Sequence, residues 1–321
     1  MFTAISCLVS GLVLLLWSAD KFVEGASGVA EYAGLSPLLI GILIVGFGTS
    51  APELIVSVTA ALNKSTSIAI GNAYGSNIAN IGLILGITAL IKPVRVGSQV
   101  LKKELPILFS ITLFSFLLIF DFKISRVEAL FLLILFSILM WWSFFQDKKK
   151  GLDNFDTEVK DSLSLKTLSL KKSVFFTITG LLLLIVSSRL LVFGAVFLAK
   201  KAGISDLLIG LTIIALGTSL PELASSVAAA FKGKHDIALG NIIGSNLFNT
   251  LAVTGLAFFV YPSDFPGEVL SRDFVFMLFL TAMIFITGFG FKRQGRINRF
   301  EGFLLLCIYF IYIGYLIFSQ V

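Results

Sequence analysis

The chain has 321 residues, of which 57% are hydrophobic and only 14% charged, and its mean hydropathy is +0.97. This composition excludes a water-soluble globular protein and predicts an all-α integral membrane protein with many spans. The formal net charge of +6 does not indicate nucleic-acid binding, because the basic residues lie in short loops between apolar runs.

Apolar runs long enough to cross a bilayer follow one another along the whole chain. They predict ten transmembrane helices, at 3–30, 38–62, 67–91, 105–120, 126–145, 173–200, 207–231, 237–260, 273–291 and 300–318. Five of these helices fall within residues 1–145 and five within 173–321. The polar, lysine-rich segment 146–172 between the two groups is predicted to be a linker.

The two groups of helices repeat each other at an offset of 169 residues. Between Gly41 and Pro93, 22 of 53 positions are identical to their partners between Gly210 and Pro262. The unit is therefore duplicated. Because five helices is an odd number, the second copy enters the membrane from the opposite face. This predicts two inverted five-helix repeats, an arrangement used by alternating-access transporters.

The distribution of Lys and Arg predicts the orientation in the membrane. The loops after helices 3, 5, 7 and 9 hold 17 Lys and Arg, whereas those after helices 2, 4, 6 and 8 hold six. Loops rich in these residues stay in the cytoplasm. We therefore expect a multi-pass protein of the cell membrane with a cytoplasmic linker and both termini outside.

Each repeat carries an acidic motif inside an apolar run, GTSAPEL from Gly48 and GTSLPEL from Gly217. A carboxylate is expensive there and indicates a functional site. Pro52 cannot donate to the carbonyl of Gly48, so the helix should kink and leave backbone oxygens partly unbonded. Thr49 and Ser50 lie four and three residues before Glu53, on the same helix face. Such oxygen clusters suit sodium and calcium.

The next helix of each repeat adds a second polar stripe. Ser76 and Asn80 are four residues apart, as are Ser245 and Asn249. Glycines four residues apart on the same helices allow close approach of neighbouring backbones. These features together predict a compact polar cage.

The paired G-T-S-x-P-E motifs, each followed by G-N-x-x-G-S-N-x-x-N, resemble the alpha repeats of the cation/calcium exchanger superfamily, most closely its prokaryotic sodium/calcium exchangers. The resemblance extends over essentially the full chain. It implies a secondary antiporter, not an enzyme, with sodium and calcium as transported ions, no cofactor and three sodium ions per calcium. By motif position it assigns the calcium site to Glu53, Glu222, Thr49 and Thr218, the flanking sodium sites to Ser50, Ser219, Ser76, Ser245, Gly46 and Ala215, and the centre to Asn80 and Asn249.

The sequence departs from the family pattern at Asn249, and other functions compete with sodium/calcium exchange. Potassium-dependent members carry Asp at the position of Asn249, so potassium co-transport is not expected. A proton/calcium exchanger is the first alternative, although that branch usually has Gly-Asn in place of Gly-Thr-Ser. An intramembrane enzyme with paired carboxylates is the alternative from another class. It is disfavoured because the sequence has no Gly-x-Gly-Asp motif, and a serine–histidine hydrolase is disfavoured because the single histidine, His235, falls in a predicted loop. A channel is disfavoured by the inverted repeats.

Overall fold

The computed structural model describes residues 1–154, 168–203, 215–288 and 295–319. The chain forms helices with very short connections. They are α1 (Phe2–Ala33), α2 (Pro37–Thr49), α3 (Ala51–Leu62), α4 (Thr66–Ile91), α5 (100–118), α6 (Arg126–Asn154), α7 (Leu170–Lys201), α8 (Ala215–Thr218), α9 (Leu220–Phe231), α10 (His235–Val260), α11 (Val269–Gly288) and α12 (Arg299–Ser319).

Within the described residues, seven helices are long and apolar enough to span a membrane, or eight if the bent pair α2–α3 is one span. Two of the ten predicted spans are absent from this set. Lys102, Lys103 and Glu104 occupy the start of α5, so its apolar part is only the 14 residues Leu105–Leu118. The predicted span 207–231 includes positions outside the described residues, and its described part is α8 and α9.

The predicted linker 146–172 is described only in part. Its first residues extend α6 to Asn154, and Leu170 already belongs to α7. The rest of the linker lies outside the described residues, as do the final positions of the predicted span 273–291.

The helices that carry the second polar stripe form the centre of the molecule. In the most apolar 18-residue stretch of each helix, 78% of the residues of α4 and 89% of those of α10 are buried. The corresponding shares for α1, α6, α7 and α12 are 17–28%. Large apolar side chains such as Phe2, Trp17, Phe193 and Phe310 are exposed on these outer helices. Such an exposed apolar surface is what a lipid-facing helix requires.

Local sequence explains the turn from α1 into α2. Gly34 follows α1 in the left-handed conformation at φ 63°, and its N–H and that of Leu35 bond back to the last turn. Ser36 then caps α2, accepting a hydrogen bond from Leu39 N at 3.2 Å, and Pro37 is the first helical residue. The carboxylate of Asp147 accepts the N–H of Ser36 at 2.7 Å, which fixes this turn against α6.

Irregular helical turns recur at equivalent positions in the two halves. The wider π-helical turn at Asn80–Leu85 in α4 corresponds to Asn249–Val253 in α10. A second one at Val100–Glu104 corresponds to Val269–Phe274. Such turns are rare and are enriched at functional sites. Their recurrence shows that the sequence repeat extends to the backbone conformation.

Two short antiparallel ribbons connect loops of the two halves. Strand β1 (Val94–Arg95) pairs with β4 (Arg296–Ile297), and β2 (Lys123–Ile124) pairs with β3 (Ser263–Asp264). The ribbons lie at opposite ends of α5, since β1 precedes and β2 follows that helix. The all-α prediction is correct apart from these four two-residue strands.

Helices α1 and α7 pack closely along their lengths. A β-carbon at Gly180 would lie 2.7 Å from Phe22 N, and one at Gly194 would lie 2.7 Å from the carbonyl oxygen of Ala4. Glycine is therefore required at both positions for the two backbones to approach. Small residues have this role at helix interfaces in membranes.

Candidate functional site

Each acidic motif sits at a break in a helix. Ser50 has φ −83° and ψ 8° between α2 and α3, which are bent by 45°. Ser219 has φ −89° and ψ 3° between α8 and α9. Pro52 and Pro221 lie in the first turn after each break, as the kink prediction requires.

The breaks bring both acids into the interior. Glu53 is fully buried, and Glu222 is 1% exposed. Glu222 Oε1 accepts a hydrogen bond from Ser50 Oγ at 2.9 Å, so the motif of one half contacts the acid of the other. Among the described residues, both oxygens of Glu53 and Oε2 of Glu222 have no hydrogen-bond partner.

The groups around the acids come from both halves. Glu222, Ser219 and Ser76 lie close enough to act electrostatically on the Glu53 carboxylate. Ser50 and Thr49 act in the same way on the Glu222 carboxylate. The three serines are buried, and the hydroxyl of Ser219 has no hydrogen-bond partner among the described residues.

The first motif helix also packs against α10. Ser245 Oγ donates to the carbonyl oxygen of Gly46 at 3.2 Å. Thr49 Oγ1 lies 2.9 Å from the carbonyl oxygen of Val45 and 3.1 Å from Asn241 Oδ1. A β-carbon at Gly46 would lie 2.9 Å from Ser245 N, so this approach depends on glycine.

Two asparagines that were not among the predicted site residues hold the acidic turns in place. Asn72 Nδ2 donates to the backbone carbonyl of Glu53 at 3.0 Å, and Asn241 Nδ2 donates to that of Glu222 at 3.1 Å. These are the carbonyls of the acidic residues themselves, in the first turn after each break. The signal available in the sequence was the repeated Gly-Asn pair at 71–72 and 240–241.

Asn80 and Asn249 are both buried near the middle of the central helices. Asn80 Nδ2 donates to Asn246 Oδ1 at 2.9 Å, which joins α4 to α10. Within the described part of the chain, Asn80 Oδ1 and both polar atoms of Asn249 have no hydrogen-bond partner. They add unpaired oxygen to the same interior region.

Some equivalent residues of the two halves differ in burial. Gly240 is buried against Gly41, whereas its equivalent Gly71 is exposed, and no described atom comes within 4 Å of a β-carbon there. Thr218 is half-buried, whereas its equivalent Thr49 is fully buried. Ala215 is the first residue of α8, and its side chain lies outside the described part.

The arrangement suits a hard cation. Buried polar oxygens without hydrogen-bond partners are rare and costly, and two buried carboxylates together are more so. No group of three or more His, Cys, Asp or Glu side chains able to hold a metal occurs in the described residues. The side chains that act on the two carboxylates are Ser and Thr hydroxyls. Hard oxygen donors of this kind suit calcium and sodium.

Comparisons with known proteins agree with these observations. The family model described as "Sodium/calcium exchanger protein" matches residues 3–145 and 172–318. The chain is 46% identical to a putative antiporter, CaxA, of Alkalimonas amylolytica over 100% of both chains. It is 32% identical to the sodium/calcium exchanger MaX1 of Methanosarcina acetivorans, covering 94% of this chain and 95% of the relative.

A solved structure of the sodium-calcium exchanger NCX_Mj has the same fold. It superposes with a TM-score of 0.83 at 30% identity, and the match covers 98% of each chain. With the family model matching both halves, this chain belongs to the sodium/calcium exchanger family, in its prokaryotic branch.

Proposed function

We propose that this protein is a secondary antiporter that exchanges sodium for calcium by alternating access. The observation that carries the proposal is the pair of buried carboxylates, Glu53 and Glu222, one from each half of the chain. Three of their four oxygens have no hydrogen-bond partner among the described residues. An anionic pair in a low-dielectric interior needs cations to be stable.

The charge of the pair limits the ions that it can take. Two carboxylates balance one calcium ion or two sodium ions. The flanking oxygens of Ser50, Ser219 and Ser245 provide room for a third sodium ion. Three sodium ions would leave one net positive charge in the site, so exchange would be electrogenic.

The transport path that we propose is built from two inverted five-helix repeats, residues 1–145 and 173–321. The pairing of strands in the two ribbons supports this symmetry. A two-fold axis in the membrane plane would relate β1 to β3 and β2 to β4, and it would convert the pair β1–β4 into β3–β2. The recurrent helix breaks and π-helical turns fit the same operation.

The distribution of Lys and Arg supports the orientation that we propose. If loops rich in these residues are cytoplasmic, the protein lies in the cell membrane with both termini outside and the linker cytoplasmic.

The relatives' names support sodium and calcium as the ions, since MaX1 and NCX_Mj are both named for exchange of these two. A proton/calcium exchanger is the second candidate, because buried carboxylates can release calcium on taking up protons. An intramembrane enzyme with paired carboxylates is disfavoured because the sequence has no Gly-x-Gly-Asp motif, and the single histidine, His235, lies beside Arg95 and Lys92.

Calcium uptake into sealed liposomes distinguishes the two antiport reactions. Protein reconstituted in sodium-loaded vesicles should take up radioactive calcium only when the external medium lacks sodium. A pH gradient of the same size, imposed without sodium, should drive no uptake. Uptake driven by the pH gradient alone would instead establish proton coupling, and uptake without any gradient of a counter-ion would indicate a channel.

A further inference from the structure

Three buried hydroxyl groups lie close together outside the acidic motifs, on α4, α5 and α10. They belong to Tyr74, Ser115 and Thr254, which are at most 1% exposed. The hydroxyls of Ser115 and Thr254 are near enough to the phenol of Tyr74 to act on it electrostatically. In the part of the chain that the structure describes, the hydroxyls of Tyr74 and Ser115 have no partner in hydrogen-bonding geometry. We call these three groups the hydroxyl cluster.

The fold does not require polar side chains at these positions. The residues that the repeat places at the equivalent positions, at the offset of 169, are Ile243, Ile284 and Leu85. These apolar side chains are also at most 1% exposed. A buried hydroxyl without a partner is destabilising, and the equivalent positions avoid that cost. The presence of the hydroxyl cluster on one side alone therefore indicates a role other than packing.

Thr254 connects the hydroxyl cluster to the central asparagine of the proposed ion site. Its Oγ1 donates to the backbone carbonyl oxygen of Asn249 at 3.0 Å, and its backbone N–H donates to the same oxygen. Asn249 is the first residue of the π-helical turn in α10. In the first half the residue equivalent to Thr254 is Leu85, which has no hydroxyl to donate. The carbonyl of Asn249 is thus held by a side chain that the turn at Asn80 lacks.

The hydroxyl cluster is a poor site for an ion of its own. Its three groups are neutral, and the ring of Phe274 covers Tyr74 edge-on at a centroid distance of 5.0 Å. A cation in this interior, with no carboxylate in the cluster, would be strongly destabilised. The role of the cluster must therefore be exerted through the bond from Thr254 to Asn249.

We propose that the hydroxyl cluster positions Asn249 for ion binding. Thr254 is the positioning residue, because its bond to the Asn249 carbonyl fixes the first residue of the turn and with it the direction of the Asn249 side chain. Tyr74 acts through Thr254, since a proton from the phenol to Oγ1 leaves the proton of Thr254 directed at the carbonyl. Ser115 supports the phenol from α5. This inference rests on the proposed function, because it takes Asn249 as part of the ion site.

Equilibrium calcium binding to the purified protein tests the proposal without a transport assay. Thr254→Val keeps the shape of the side chain and removes its hydroxyl. Calcium binding, measured from the rise in unfolding temperature during a calcium titration, should become about fivefold weaker. This change corresponds to about 1 kcal/mol, the contribution of one neutral hydrogen bond. Thr254→Ser keeps the hydroxyl and should bind calcium as the unsubstituted protein does.

Thr281→Val is the matched control. Thr281 is as buried as Thr254, but its Oγ1 donates to the carbonyl oxygen of Met277 in its own helix at 2.8 Å, so calcium binding should not change. Tyr74→Phe should weaken calcium binding alone and have no further effect in Thr254→Val, because it acts through that hydroxyl. Unchanged binding in Thr254→Val, no recovery in Thr254→Ser, an equal loss in Thr281→Val or an additive effect of Tyr74→Phe would overturn the proposal.

Hydrogen exchange distinguishes positioning from a general loss of stability. In Thr254→Val the amides of Asn249–Val253 should exchange faster, whereas those of Thr66–Ala79 in α4 should not change. Equally faster exchange in both segments would overturn the proposal. Failure of a sodium gradient to drive calcium uptake by the unsubstituted protein would instead refute sodium/calcium exchange, and the binding comparison would still decide the role of Thr254. Absence of calcium binding to the unsubstituted protein would overturn both.

Discussion

Replacing Glu53 by glutamine (Glu53→Gln) removes one of the two buried charges while keeping the shape of the side chain. Calcium would then be opposed by Glu222 alone. At about 4 Å and an effective dielectric constant of about 20, the attraction lost between one carboxylate and a divalent ion is about 8 kcal/mol. This corresponds to roughly a million-fold weaker calcium binding. The same calculation applies to Glu222→Gln, and neither variant should exchange calcium.

Thermal unfolding of the purified protein measures this loss directly. Calcium at 100 times its dissociation constant should stabilise the unsubstituted protein by about 2.7 kcal/mol. After a loss of affinity of this size, the same calcium concentration would stabilise Glu53→Gln by less than about 0.1 kcal/mol. In ion-free buffer Glu53→Gln should be the more stable protein, because a buried carboxylate without a hydrogen-bond partner has been neutralised.

Glu268→Gln is the matched control for this experiment. Glu268 is an exposed carboxylate in the loop before α11, so its neutralisation should leave the calcium-induced stabilisation unchanged. The reasoning is refuted if Glu53→Gln retains the full calcium-induced rise in unfolding temperature. Loss of that rise in both Glu53→Gln and Glu268→Gln would also refute it, because the effect would then reflect overall charge.

Three further predictions concern coupling, orientation and selectivity. With three sodium ions per calcium, each cycle moves one charge, so a 100 mV potential across liposomes should shift the equilibrium calcium gradient about 50-fold; a gradient that ignores the imposed potential would mean two sodium ions. A cysteine introduced at Asn154, where α6 ends, should react with an impermeant reagent in inverted vesicles but not in intact cells; labelling of intact cells would reverse the proposed orientation. Exchange measured at clamped potential should not require potassium, and Asn249→Asp should alter ion selectivity by adding a third buried acid; stimulation of the unsubstituted protein by potassium would contradict the two-acid site.

The sequence was most informative where covalent chemistry dictates local structure. Pro52 and Pro221 cannot complete the helical hydrogen bonds, so a kink could be predicted in each motif, and the breaks lie at Ser50 and Ser219. The spacing of Ser50 and Glu53 placed them on one helix face, although the serine contacts the acid of the other half. This contact depends on how the two repeats pack against each other, and the spacing of residues within one helix does not predict that packing.

Features that depend on tertiary contacts were not predicted. The sequence shows only that Asn72 and Asn241 are repeated. Their role could not be predicted, because their backbone acceptors lie 19 residues earlier in the chain. Because the two motifs are identical at these positions, they predict the same burial for both glycines. The exposure of Gly71 and the burial of Gly240 could therefore not be predicted. The predicted span 105–120 is not confirmed, because α5 begins with charged residues and its apolar part has only the 14 residues Leu105–Leu118.

The ribbons make the two halves of the chain mechanically dependent on each other. Each ribbon pairs a strand of the first half with a strand of the second, and the two ribbons lie at opposite ends of α5. A polypeptide cut between residues 154 and 168 would therefore remain fastened at both ends of this helix. Contacts between the halves, rather than the covalent linker, would then hold the assembled protein together. Two separately produced halves should accordingly co-purify as one particle.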